Sequence, residues 1–185
     1  MSRSQVIVLN GVGSVGKSST ARALQEIAAR PFLHVAMDTF LEMLPPSMMG
    51  HPDGLLFEPG LENGHPSIAI RTGLVLDRAM QGMRHAIAVM AEQGNHLVID
   101  EVMLGRGEAL AYRELLSGHD LRIVGLFAPL EVLERRERER GDRELGLARW
   151  QFERVHRDVI YDLEIDATAT TPAANAQKIC EAFGL

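Results

Sequence analysis

A glycine-rich segment near the start of the chain has the spacing of a phosphate-binding loop. Residues 5–20 read QVIVLNGVGSVGKSST, an apolar run that breaks into glycines and then into a helical pattern. The spacing G-x-x-x-x-G-K-S matches the Walker A pattern, in which backbone N–H groups surround a β-phosphate, the lysine contacts the β- and γ-phosphates and the hydroxyl binds Mg²⁺. We therefore predict nucleotide binding, with Mg²⁺ on Ser18, by the loop residues Gly11, Val12, Gly13, Ser14, Val15, Gly16, Lys17, Ser18 and Ser19.

The surroundings of this segment favour a phosphate loop over an ordinary glycine-rich turn. An apolar strand precedes it and a helical pattern follows it, and one of the chain's two lysines stands at the required position, Lys17. We expect that a Cβ at Gly16 would crowd the loop and that a helix opening near Lys17 adds its positive dipole end to the anion site.

Two aspartates follow apolar strands and are candidates for the chemistry of phosphoryl transfer. Ligands of parallel α/β sheets bind at the carboxyl ends of the strands. Asp100 has the position of a Mg²⁺ ligand, although a helix cap or turn residue is the alternative, and Glu101 is a weaker second candidate. Asp38 could accept the proton of an attacking hydroxyl, or could cap a helical segment at 39–44; the spacing alone leaves both roles open.

An arginine-rich run at about 134–145 is the third candidate. Its i,i+4 pairs, such as Glu134 with Arg138, are typical of a solvated helix face. Guanidinium groups also clamp phosphates and stabilise charge during phosphoryl transfer, and Gly141 offers a hinge. We favour a closing lid over a plain surface helix.

The alternation of apolar strand patterns with helical ones predicts the scaffold. Strands are expected from residue 5 and at 32–37, 96–99, 121–128 and 163–165, and helices at 18–29, 39–44, 68–93, 107–117, 130–140, 145–159 and 172–183. Such alternation implies right-handed βαβ units and a five-stranded, doubly wound parallel sheet in a three-layer α/β/α architecture. We expect one domain over 1–185, with an excursion at 45–66 that shows no steady period.

The composition narrows the class of protein. The chain has 185 residues, 46% of them apolar, and one cysteine, Cys180, which suits a reducing cytoplasm. We expect neither a signal peptide nor a membrane span. A formal net charge of −6 argues against wholesale nucleic-acid binding, and the seven histidines lack the spacing of zinc ligands. A homo-oligomer is compatible with the sequence.

Several stretches together resemble the chloramphenicol phosphotransferases, within the adenylate-kinase-like group of phosphate-loop kinases. The resemblance spans nearly the whole chain. Beyond the phosphate loop it is carried by Met37-Asp38 with the helix that follows, and by the runs VIDEVMLG at 98–105, RERERGDR at 136–143 and YDLEIDAT at 161–168. The sequence departs from that pattern at Glu101, where an aspartate is expected, and in the 45–66 excursion, which should shape the acceptor pocket.

This resemblance implies specific roles. Family members phosphorylate a primary hydroxyl of chloramphenicol with ATP and use the aspartate after the second strand as general base, which here is Asp38. Their lid arginines correspond to Arg136, Arg140 and Arg143, and the turn beginning at Thr168 resembles the place where such kinases hold adenine.

The leading hypothesis is therefore an ATP- and Mg²⁺-dependent kinase that phosphorylates a hydroxyl group of a small molecule. Chloramphenicol is the preferred acceptor. A kinase of another hydroxylated metabolite would share every motif. A nucleotide-dependent switch is a further alternative, although the guanine-reading N-K-x-D pattern is absent from the sequence. A phosphate-loop domain without turnover is the last alternative.

Overall fold

The computed structural model describes residues 3–141 and 145–185, and in these ranges strands and helices alternate along most of the chain. The strands are β1 (Gln5–Asn10), β2 (Phe32–Ala36), β3 (Leu55–Glu62), β4 (His65–Thr72), β5 (His96–Glu101), β6 (Asp120–Phe127) and β7 (Leu163–Asp166). The helices are α1 (Lys17–Ile27), α2 (Met37–Leu41), α3 (Leu74–Glu92), α4 (Arg106–Leu115), α5 (Leu130–Arg140), α6 (Leu147–Phe152) and α7 (Pro172–Phe183), and Pro46–Met48 forms a 3₁₀ turn.

Five of the strands form the predicted parallel sheet, and their order in it is β2-β5-β1-β6-β7. Successive side chains of a strand point to opposite faces. On β1, Ile7 and Leu9 pack in one core cluster with residues of α1, α6 and α7, whereas Val6 and Val8 pack in another with residues of α3 and α4. Because β1 lies in the middle of the sheet with both faces buried, its carboxyl end opens into a crevice between neighbouring strands.

The segment at 45–72 differs from the prediction, because it contains an antiparallel hairpin of β3 and β4. Glu62 pairs with His65, so Asn63 and Gly64 form a two-residue turn, and both have positive φ, 53° and 79°. This is the geometry of a type I′ turn, for which Asn-Gly is the preferred sequence. The excursion at 45–66 therefore has regular structure that the absence of a steady period concealed.

The predicted helix at 68–93 is wrong over its first residues. Residues 68–72 belong to β4, and α3 begins only at Leu74. The isoleucines at 68 and 70 fit the apolar spacing of a helix and of a strand alike, and the pairing with β3 decides between the two. The helix expected at 145–159 is likewise shorter, since α6 ends at Phe152 and turns follow it.

β5 extends two residues beyond the predicted strand at 96–99, so Asp100 and Glu101 lie within the strand itself and not in a turn after it. None of the helices in the described ranges combines the length and apolar character that a membrane crossing needs.

The hairpin turn yields a first prediction. Gly64→Ala places a Cβ on a residue with φ of 79°, so it should destabilise the protein by about 1 kcal/mol and lower Tm by about 2–4 °C. Gly60→Ala is the control, because Gly60 belongs to the extended strand β3. Thermal unfolding followed by circular dichroism measures both variants. Equal Tm values for the two would contradict the assigned turn.

Candidate active site

The glycine-rich segment forms the predicted loop between β1 and α1. Gly16 precedes α1 with φ of 105°, a conformation that L-residues with side chains rarely adopt. The expected crowding at Gly16 is wrong, because a Cβ there would meet no described atom within 4 Å. Crowding instead applies at Gly11, where a Cβ would lie 2.7 Å from the carbonyl oxygen of Leu126. Gly16 is therefore required by its backbone conformation, and Gly11 is required by close packing.

The loop borders a large cleft of about 1710 Å³ at the carboxyl end of the sheet. Its residues from Ser14 to Ser19 line the cleft, whereas Gly11, Val12 and Gly13 are buried. A pocket for one small ligand measures roughly 300–1,000 Å³, so this cleft has room for two ligands side by side.

Lys17 is held against its own loop. Its Nζ donates to the carbonyl oxygens of Gly11 at 2.8 Å and Val12 at 3.2 Å, and only 7% of the residue is exposed. The backbone N–H of Gly13 donates to Oε1 of Gln151 on α6 at 2.7 Å. The side chain of Gln151, itself buried and lining the cleft, therefore ties the loop to α6.

Ser18 and Asp100 meet directly, since the Ser18 hydroxyl donates to Oδ2 of Asp100. The cap or turn alternative for Asp100 is wrong, because the residue lies in β5. Burial raises the pKa of its carboxyl, but the His34 ring, the Lys17 ammonium and the Ser18 hydroxyl together bring it below the usual value. Asp100 is therefore ionised at neutral pH.

This pair suits Mg²⁺, which is usually held by one or two carboxylates with waters and substrate phosphates. The described residues contain no group of three or more His, Cys, Asp or Glu side chains that could hold a metal by themselves. A hydroxyl and an ionised carboxylate beside the phosphate loop therefore fit a magnesium ion that arrives with a nucleotide.

Glu101 is committed elsewhere. Its side chain is 1% exposed; Oε1 accepts from Nη2 of Arg84 at 2.5 Å, and Oε2 accepts from the hydroxyl of Tyr112. Burial and the Glu101 carboxylate raise the pKa of Tyr112 well above its ordinary value, so that hydroxyl stays protonated. Both carboxylate oxygens are engaged, which leaves Asp100 as the better placed carboxylate for a cation.

Asp38 lines the same cleft as Lys17. It does not occupy the N-cap position that the alternative required, because α2 begins one residue earlier, at Met37, and Ala36 is the N-cap residue. Asp38 instead lies in the first turn of α2, immediately after β2.

The arginine-rich helix α5 divides into two faces. Arg136, Glu139 and Arg140 line the cleft, whereas Arg135 does not line it and is exposed, with its guanidinium 3.9 Å from Glu139. Arg143, the third predicted lid residue, lies outside the described residues. The surface-helix alternative therefore applies to one face of α5 only.

Arg136 binds backbone on two sides of the cleft. Its Nη2 donates to the carbonyl oxygens of Ala167 and Thr168, both at 3.0 Å, and its Nη1 donates to the carbonyl oxygen of Val15 at 3.5 Å. Thr168 thus lies in the turn that Arg136 holds, and its neighbours Ala167 and Thr170 line the cleft.

The opposite end of the cleft has an apolar wall. Apolar surface comes from the hairpin, from α2 and α3 and from the loops beside them, namely Met37, Leu41, Leu44, Met49, Leu55, Phe57, Ile70, Leu76, Met80 and Leu104. Glu42, Asp77 and Glu108 add negative charge at this end. The excursion therefore shapes the cleft, as expected, although it does so as a hairpin.

A buried polar network of Asn10, Tyr161 and His156 lies next to the phosphate loop, which follows Asn10 directly. The fully buried Asn10 donates from Nδ2 to the Tyr161 hydroxyl at 2.7 Å, and that hydroxyl is 2.7 Å from Nδ1 of His156. Burial raises the pKa of Tyr161 to about 12, and burial with the nearby Lys17 charge lowers the pKa of His156 to about 4. The tyrosine is therefore the donor to a neutral histidine, whose ring stacks on Phe127 at 3.9 Å.

Sequence reasoning missed Gln151, Arg84, Glu137 and the hairpin wall. Only the hairpin had a usable signal, the Asn63-Gly64 dipeptide between apolar runs. Gln151 lies 138 residues from Gly13, and no local pattern links them.

Comparisons with known proteins agree with this geometry. A family profile described as chloramphenicol phosphotransferase-like protein matches residues 4–184. Two proteins from two Mycobacterium tuberculosis strains, named as candidate O-phosphotransferases, are each 31% identical to this chain over an alignment of 188 residues. The alignment covers 99% of this chain and 84% of each relative.

Solved structures of low sequence identity share the fold. The M. tuberculosis APS kinase in complex with AMPPNP and APS gives a TM-score of 0.71 at 14% identity, over 100% of both chains. A tunicamycin resistance protein from Deinococcus radiodurans gives 0.66 at 18% identity, over 99% of this chain and 97% of the other.

The network around His156 predicts a pH dependence of stability. The folded protein keeps this imidazole neutral down to about pH 4, whereas the unfolded chain protonates it near 6.5. The contribution of the neutral imidazole to the free energy of unfolding should be complete above about pH 6.5 and should decrease as the pH falls toward 4. Urea unfolding at pH 7 and at pH 5 should show a larger decrease in the free energy of unfolding for wild type than for His156→Gln. Equal losses would contradict the assignment of a neutral histidine.

Proposed function

Because the chain belongs to the chloramphenicol phosphotransferase-like family of P-loop phosphotransferases, we propose that it transfers the γ-phosphoryl group of ATP to a hydroxyl of a small molecule, with Mg²⁺. The observation that carries the proposal is the single cleft into which the phosphate loop and Asp38 both open. A nucleotide at the loop and an acceptor against the hairpin wall would meet beside this carboxylate. We place the reaction in the cytoplasm, where ATP is available.

Asp38 acts as the general base. The acceptor oxygen attacks the γ-phosphorus, its proton passes to the Asp38 carboxylate, and the bond from the γ-phosphorus to the β,γ-bridging oxygen breaks to release ADP. A carboxylate suits this role because it orients the hydroxyl by hydrogen bonding before it removes the proton.

Lys17 and Arg140 supply the electrostatic part of catalysis, and Arg136 holds the site in place. Lys17 turns from the loop carbonyls of Gly11 and Val12 toward the β- and γ-phosphates. Arg140 follows Arg136 by one helical turn on the cleft face of α5 and stabilises the negative charge that develops on the transferred phosphoryl group. Arg136 holds the loop and the adenine-side turn at a fixed separation, through the three carbonyl oxygens that it binds. Arg143 is proposed as a further lid residue from the resemblance alone.

Ser18 and Asp100 would hold the magnesium ion, which when bound neutralises phosphate charge. The direct hydrogen bond between them and the lowered pKa of Asp100 support this assignment, since both groups present oxygen to the same point of the loop.

Chloramphenicol is the first acceptor to test, through its primary hydroxyl. The apolar wall with Phe57, Leu55 and Met49 suits a flat aromatic molecule. Another hydroxylated metabolite is the second candidate, and the carboxylates of Glu42, Asp77 and Glu108 favour it, because they suit polar or amine-bearing alcohols more than a largely apolar one.

A product screen tests the proposal. The protein is incubated with ATP, Mg²⁺ and a panel of alcohols that includes chloramphenicol and amine-bearing sugars, and mass spectrometry detects acceptors that gain one phosphate. We expect at least one phosphorylated product with wild type and none with Lys17→Ala. ATP binding without any product would instead favour a nucleotide-binding module, and the absence of ATP binding would refute the loop assignment.

Asp38→Asn tests the base. The amide preserves size but cannot take the proton, so single-turnover transfer should fall by roughly 10²–10⁴-fold while Tm and ATP affinity remain close to wild type. Asp77→Asn is the matched control, since Asp77 also lies in the first turn of a helix and lines the cleft. At saturating acceptor it should transfer at nearly the wild-type rate. Similar rates for both variants would eliminate Asp38 as the base.

A further inference from the structure

His34 is a partly buried histidine beside Asp100 that takes no part in the proposed phosphoryl transfer. It lies on β2, next to β5 in the sheet, in the register that pairs Ala36 with Asp100. Its Nε2 lies 3.8 Å from Oδ2 of Asp100, and the two side chains are 15% and 9% exposed. His34 also lines the cleft.

The Nε2 atom of His34 is shielded from solvent and makes no hydrogen bond within the described chain. A separation of 3.8 Å exceeds that of a hydrogen bond, so the contact with Asp100 is not one. A polar atom without a hydrogen-bond partner at such depth destabilises the folded protein unless a ligand or a small movement supplies the partner. Hydrogen bonds of catalytic sites are often long without ligands and tighten in the substrate complex.

The position of Asp100 shows what this role is. The Ser18 hydroxyl already donates to Oδ2, the same oxygen that faces His34. A second donor on Oδ2 would saturate that oxygen with protein contacts, and the carboxylate would offer its other oxygen to a cation. Neighbours that orient a metal-binding carboxylate in this way strongly affect metal affinity.

We propose that His34 is a positioning residue for Asp100: its Nε2–H closes onto Oδ2 when nucleotide and metal fill the cleft, and it thereby fixes the carboxylate for the cation. The inference rests on the proposed function, in which Asp100 holds Mg²⁺. It requires an imidazole that carries a proton on Nε2.

The test measures metal binding without turnover. Mn²⁺ replaces Mg²⁺, and electron paramagnetic resonance follows its binding to the protein with AMPPNP. His34→Leu should weaken Mn²⁺ binding by about 10-fold or more, whereas His34→Gln, which keeps a donor at the place of Nε2, should restore it to within a few-fold. Binding of the nucleotide without metal should stay unchanged in both variants.

His119→Leu is the matched control. This histidine also has a buried ring nitrogen without a partner among the described residues, but it precedes the amino end of β6 and is not part of the cleft lining. Its replacement should leave Mn²⁺ binding as in wild type. Equal weakening in the two leucine variants would overturn the proposal, as would wild-type binding in His34→Leu.

Asp100→Asn separates this inference from the function on which it rests. If this variant binds Mn²⁺ as wild type does, Asp100 holds no metal and the proposed metal site itself fails. If Asp100→Asn weakens binding and His34→Leu does not, the role of His34 alone is refuted.

A measurement on the wild-type protein covers the case in which His34→Leu does not fold. Nuclear magnetic resonance of the imidazole nitrogens should detect a slowly exchanging Nε2–H of His34 once Mg²⁺ and AMPPNP are added. An Nε2 without a proton in that complex would overturn the proposal.

Discussion

The carboxamide of Asn10 is the contact on which the site depends. The residue ends the central strand, is fully buried and directly precedes Gly11. Its Oδ1 accepts from the N–H of Met103 at 2.8 Å, and its Nδ2 donates to the Val155 carbonyl at 3.0 Å and to the Tyr161 hydroxyl. Leaving any of these groups unsatisfied at such depth would cost about 1–3 kcal/mol. The phosphate loop, the segment after β5 and the segment after α6 are therefore held in one arrangement.

The same principle attaches α5 and α6 to the cleft, here with charged groups. The buried Glu137 accepts from the N–H groups of Gly146 at 2.9 Å and Ala148 at 2.8 Å, so a residue of α5 satisfies the start of α6. Charge-assisted hydrogen bonds to backbone are stronger than neutral ones. The arginine-rich helix thus combines a solvated face, a face toward the cleft and a buried carboxylate that positions α6, which in turn brings Gln151 to the phosphate loop.

The hairpin joins this assembly from the acceptor side. The N–H of Ile68 on β4 donates to the carbonyl oxygen of Gly146 at 3.1 Å, and Arg154 pairs with Glu62 at 3.1 Å. The wall against which an acceptor would rest therefore contacts the segment that contacts the phosphate loop. A displacement of α6 would therefore alter the hairpin wall and the phosphate loop together.

The sequence by itself determined the elements whose signals are local. The glycine spacing of the phosphate loop, the apolar strands and the carboxylates at their ends could be read directly, because each depends on residues adjacent in the chain. The doubly wound sheet followed, since parallel strands joined by helices have few arrangements. Asp38, Lys17 and Asp100 could be named for the same reason.

Tertiary structure decided what depends on distant partners. Residues 68–72 fit two periodicities, and only pairing with β3 made them a strand. Arg136 and Arg135 are neighbours of identical type, yet the packing of α5, whose successive side chains are about 100° apart around the helix axis, turns one toward the cleft and leaves the other exposed. The contacts of Gln151 with Gly13 and of His34 with Asp100 join segments 138 and 66 residues apart. The local sequence around a polar side chain does not identify the distant residue that it will contact in the folded protein.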